Sequence, residues 1–94
     1  MRIDVRKNEE HRRYEAVADG EVVGIADYVE GDGVITIPHT EVQPSLRGQG
    51  IAAEMVRAVL DDIRAQGSQV DPQCSYVDDF MRREPIYADL RVGA

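Results

Sequence analysis

The apolar residues of this chain change period once, near position 50, and that change limits the folds open to it. Before it, runs such as Ile3 and Val5 alternate with polar residues and are broken by tight-turn residues, the pattern of strands. After it, Ile51, Ala52, Met55, Val56, Val59, Leu60 and Ile63 form a stripe at helical spacing, with Gly67 as its stop. Strands are expected over residues 2–7, 12–18, 21–29 and 34–42. Asp19-Gly20 supplies the positive φ angles of a type I′ hairpin turn, and Gly31-Asp32-Gly33 makes the next turn. A short strand at 69–71 follows the helix. A second helix then runs from Ser75 to Arg83, with Val77, Phe80 and Met81 inward, and Pro85 ends it. Residues 86–92 are too few to assign.

The expected class is α+β: a mixed sheet in which an antiparallel meander leads into a βαβ unit over residues 34–73, followed by a short C-terminal helix. The length of 94 residues is that of one domain, residues 1–94. Pro38 interrupts the fourth strand, because proline cannot donate to a ladder, so a bulge or an unpaired stretch is expected there. Bulges often re-aim backbone groups beside functional sites.

Eleven Lys and Arg against 18 Asp and Glu leave a formal charge of −7. An acidic surface repels nucleic-acid phosphates and favours a small amine or a basic peptide as partner. Cys74 is the single cysteine, so no intramolecular disulfide is possible, and a reducing, cytoplasmic compartment is expected. No apolar run is long enough to span a membrane and the start lacks a signal-peptide stretch, so no membrane association is expected. A monomer or weak dimer is expected, and no residue spacing suggests a metal site.

Between the fourth strand and the long helix lies Gln43-Pro44-Ser45-Leu46-Arg47-Gly48-Gln49-Gly50-Ile51-Ala52. Two glycines at such a junction let backbone N–H groups approach an anion, the helix start adds unpaired N–H groups, and Arg47 adds a cation. An ordinary glycine-rich turn is the plain alternative. Gly48, Gly50 and Ala53 also satisfy the dinucleotide fingerprint, with Asp71 downstream. That fingerprint requires successive βαβ units, and here a meander precedes it. No Gly-Lys-Ser/Thr follows either, so the loop is not a nucleotide-triphosphate loop.

Arg47-Gly48-Gln49-Gly50-Ile51-Ala52 resembles the Arg/Gln-x-x-Gly-x-Gly/Ala pyrophosphate loop of the GNAT superfamily of N-acetyltransferases. Together with His39-Thr40-Glu41-Val42, with Cys74 before Tyr76-Val77, and with Glu84-Pro85-x-Tyr87-Ala88-Asp89-Leu90, the chain resembles the short N-acetyltransferases of about this length, over residues 20–91. The resemblance implies a fourth and fifth strand that splay apart, with the pantetheine arm of acetyl-CoA (or CoA) in the gap. It implies cofactor contacts from Val42, Arg47, Gly48, Gln49, Gly50, Ile51, Ala52, Cys74 and Tyr76. Two positions depart from the pattern: relatives carry a non-proline residue at 38 and tyrosine at 80, where this chain has Pro38 and Phe80.

Acyl transfer to an amine requires that the amine lose a proton and that the developing oxyanion be stabilised. His39 and Glu41 lie two apart on one strand, so they share a face, and either is a candidate to take the proton. Each is also explicable as a structural or solvated strand-end residue. A carboxylate in that role is expected to be partly buried. Cys74, just before a helix, is a candidate nucleophile or channel-lining thiol, or simply a small buried hydrophobe. The function expected is acetyl transfer from acetyl-CoA to an amine by direct attack, with an acyl-Cys74 route as mechanistic rival. The alternative from another class is a non-catalytic acyl-CoA-binding module.

Overall fold

In the computed structural model, which describes residues 2–94, four strands pair in chain order as an antiparallel meander: β1 (Asp4–Asn8), β2 (Arg13–Ala18), β3 (Glu21–Gly31) and β4 (Val34–Val42). The turn tips explain the tight connections. Asp19 and Gly20 have φ of 50° and 77°, and Asp32 and Gly33 have 53° and 75°, the successive left-handed residues of a primed turn. Helix α1 (Ile51–Gln66) follows β4, and β5 (Gln69–Asp71) then joins β4 in parallel, completing the expected βαβ unit. Gly67, at φ 77°, stops α1 by sending its N–H back to Arg64 O. Helix α2 (Ser75–Arg83) comes next.

The helical stripe is what the sheet buries. Met55, Leu60 and Ile63 are fully buried against Ala16, Ala26, Ile35 and Ile37. Each such side chain contributes roughly 1.5–3 kcal/mol on burial. α1 lies close enough that a Cβ on Gly24 would come within 3.2 Å of Met55 Sδ and of Glu41 O. Polar ties fix its outer side: the Tyr14 hydroxyl donates to Asp62, the Tyr87 hydroxyl donates to Asp61 at 2.8 Å, and Arg57 reaches Glu84 at 2.9 Å.

Pro38 marks the irregularity anticipated for it. Asp27 pairs with His39, but Val29 pairs with Thr36, so Tyr28 alone faces the two residues Ile37 and Pro38. This bulge shifts the side-chain alternation of β4 by one. Ile35 and Ile37 point into the core before it; after it, Thr40 and Val42 are half-buried, while His39 and Glu41 are exposed. The bulge lies beside the point where the parallel pairing ends. β5 pairs only with Val34–Thr36, and the Cys74 N–H then donates to Ile37 O at 2.8 Å. From Pro38 onward the edge of β4 away from β3 has no strand partner among the described residues.

The tail holds structure that the sequence pattern did not reveal. Pro85–Leu90 form a 3₁₀ segment that buries Tyr87 and Leu90, and the Val92 N–H then donates to Val70 O at 2.8 Å. Among the described residues no helix is long and apolar enough to cross a membrane.

Candidate functional site

The loop after β4 is a cradle for two local reasons. Gly48 and Gly50 have φ of 84° and 79°, where a side chain is strained, and a Cβ on either would meet no atom within 4 Å. The backbone is therefore bare toward open space. α1 then begins without a side-chain cap, and Glu54 is the first residue whose N–H finds an intrahelical acceptor, Gly50 O at 3.1 Å. The N–H groups of Ile51, Ala52 and Ala53 have no acceptor within the helix. Such an end suits a doubly charged oxyanion such as a pyrophosphate.

These groups open into a cleft of about 230 Å³ between the end of β4, the loop, the first turn of α1 and Tyr76 on α2. Of the residues expected to hold the cofactor, Val42, Arg47, Gly48, Gly50, Ile51, Ala52 and Tyr76 line this cleft. Gln49 is exposed on the loop outside the lining, and Cys74 sits beyond it, beside Thr40. Leu46 and Ala53 also line the cleft and were missed by the sequence reading; Leu46 looks like a loop residue until the 3₁₀ turn Pro44–Leu46 faces it inward.

A second cleft, of about 400 Å³, runs along β3 and the end of β4. Arg13, Val22, Ile25 and Glu41 line it, and Val42 and Arg47 form a wall common to both clefts. His39 Nε2 lies 3.3 Å from Glu41 Oε1, so the two residues expected to share a face do so. The expectation that Glu41 is partly buried fails: its side chain is 65% exposed.

Cys74 does not join this pair. Adjacent strand residues point to opposite faces, and the Cys74 thiol meets Thr40, lying 3.4 Å from Thr40 Oγ1. Thr40 stands between His39 and Glu41 in sequence and faces the other way. Burial pushes the Cys74 thiol up, but hydrogen bonds from the Thr40 hydroxyl and the backbone N–H groups of Val77 and Tyr76 outweigh it, holding the thiol below its ordinary range. Thr40 was not singled out from sequence, because only the bulge at Pro38 decides which face it takes.

Known proteins agree on the fold. The family model described as GCN5-related N-acetyl-transferase matches residues 13–90. Protein NATD1 of Bos taurus is 32% identical over 60 residues, spanning 64% of this chain and 52% of the bovine protein. The chicken protein of that name, from Gallus gallus, is 26% identical over 87 residues, spanning 89% of this chain and 78% of its own. Among solved structures, a GCN5-like protein from Staphylococcus aureus superposes with a TM-score of 0.72 at 22% identity, covering 97% of this chain and 89% of that one. The ribosomal-protein-S18-alanine N-acetyltransferase of Escherichia coli superposes with a TM-score of 0.63 at 15% identity, covering 84% of this chain and 53% of the enzyme.

Proposed function

The chain belongs to the GCN5-related N-acetyltransferase family, and from that membership we propose that it binds acetyl-CoA and transfers the acetyl group to an amine. The observation that carries the reading is the meeting of two clefts at Val42 and Arg47, one floored by bare backbone N–H groups and the other edged by a carboxylate. In this reading the N–H groups of Gly48, Gly50 and the first turn of α1 hold the pyrophosphate, with Arg47 as countercharge. The unpartnered edge of β4 past Pro38 takes the pantetheine amides as it would take an added strand.

When bound, acetyl-CoA supplies the acyl thioester. The chain's own part is to hold the acceptor amine at the second cleft and to receive its proton. An alkylammonium is almost wholly protonated at neutral pH and cannot attack. Glu41 attracts that cation and accepts the proton at Oε1, directly or through water, and His39 orients the carboxylate from 3.3 Å. Cys74 lines the thiol end of the channel, on the other side of β4. A free, partly buried thiol also suits a reducing, cytoplasmic setting.

The test is turnover: purified protein with acetyl-CoA and a panel of amines should release CoA in proportion to acetylated amine. Binding of CoA without acetylation of any amine would leave an acyl-CoA-binding module in place of an enzyme.

A further inference from the structure

Opposite charges stand at the two sides of the larger cleft, with an apolar floor between them. Glu41 pairs across the sheet with Ile25, and Ile25 with Glu15 on β2; Arg13 lies two residues from Glu15 on the same strand face. With strands about 4.8 Å apart, Glu41 and β2 stand roughly 10 Å apart, and Ile25 fills the space between. The Arg13 head is only partly committed. Its Nε donates to Glu15 at 2.8 Å, which leaves the two terminal amino groups of the guanidinium with donors to spend. Arg13 is one-third exposed and lines the cleft with Glu41.

We propose that this cleft takes an acceptor carrying both an amine and a carboxylate at the two ends of a short methylene chain, and that Arg13 is the residue that selects for the carboxylate. The proposal rests on the acyl-transfer reading for what happens to the amine, but not for binding itself. The amine sits at Glu41, next to the wall shared with the cofactor cleft, and the methylenes lie over Ile25. The carboxylate meets the Arg13 fork, whose geometry suits it. Arg13 and Arg47 are the two cations lining this cleft; Arg47 stands on the wall shared with the cofactor cleft, so Arg13 marks the far end and a plain diamine gains nothing there. An α-amino acid whose two charges sit on one carbon is too short to span the floor.

The experiment titrates isotope-labelled protein, with and without CoA, with ε-aminocaproate, n-hexylamine and caproate, reading amide chemical shifts. The expected result is that ε-aminocaproate moves Ile25 and Glu41, and that it binds at least tenfold tighter than either one-ended analogue. Arg13→Gln should erase that preference and Arg13→Lys keep part of it. Because Arg13 also pairs with Glu15, the ligand series on the unaltered protein carries the test should either variant fold poorly. Equal affinity for ε-aminocaproate and n-hexylamine, or shifts confined to other surfaces, overturns the proposal. CoA in the same samples separates the two claims through Gly48 and Gly50. Shifts there without ε-aminocaproate binding overturn the acceptor class alone. Binding of ε-aminocaproate without any CoA response supports this cleft and overturns acyl transfer.

Discussion

Glu15 is a carboxylate that the sheet keeps almost entirely from water, at 2% exposed. Burial pushes its pKa up, but Arg6 at 2.9 Å, Arg13 at 2.8 Å and Asn8 at 3.2 Å win and hold it at about 2. The folded value lies below the ordinary 4.5, so the stabilisation is complete above about 4.5 and is lost as pH falls from there toward 2. With Arg6 reaching into solvent, the loss is on the order of 2 kcal/mol. Urea unfolding at pH 7 and pH 3 should show it, and Glu15→Gln should be less stable at pH 7 but flatter across that interval. At Cys74, the lowered thiol predicts alkylation by iodoacetamide faster than that of an unstructured cysteine peptide at pH 7, and protection by CoA. A thiol inert in both states argues that Cys74 only packs. At Glu41, the proposed proton acceptor, substitution by Gln should lower kcat/KM by about a hundredfold or more, and His39→Gln by less. Greater damage from His39→Gln reverses the two roles. Of these three environments only the pairing of Glu41 with His39 was legible in the sequence, from their spacing of two on one strand. Glu15 looks like any polar strand residue until Arg6 and Arg13 close over it, and Cys74 gains its hydroxyl partner only because β4 slips by one residue.

Strands and helices were far more legible, because each carries a period long enough to recognise. The meander, the α1 stripe and α2 stand where alternation and helical spacing put them. Even the bulge was written in the chain, since Pro38 has no N–H to give the ladder. The tail was not. Tyr87 and Leu90 are buried three residues apart on a single 3₁₀ turn, too short a pattern to stand out, and Val92 finds its acceptor on β5, a partner no local pattern names. The packing of α1 on β3 yields a prediction at this scale. Gly24→Val should destabilise the fold by about 1–3 kcal/mol, measured by the urea midpoint, because its first carbon already meets Glu41 O and Met55 Sδ at 3.2 Å. An unchanged midpoint implies that α1 stands farther from the sheet.

At the scale of the molecule, everything proposed for this protein depends on the end of β4, where a strand edge, a glycine cradle and two clefts come together. That convergence was legible in outline, because the loop and its flanking helix are contiguous in sequence. Tyr76 reached the same cleft only through the family resemblance, and the Arg13 side of the larger cleft not at all, being brought across two strands by the sheet. The central claim is that the Gly48–Gly50 cradle holds an acyl-CoA, and calorimetric titration of acetyl-CoA into the wild type and Gly50→Glu tests it most directly. The variant should stay folded, at a cost of about 1–2 kcal/mol for a side chain at φ 79° with open space around it. The wild type should bind one equivalent with micromolar to sub-millimolar affinity and gain about 2.7 kcal/mol of stability at a hundredfold excess over Kd; Gly50→Glu should give no heat. Absence of heat with wild type at millimolar acetyl-CoA, or equal binding by the folded variant, contradicts the claim.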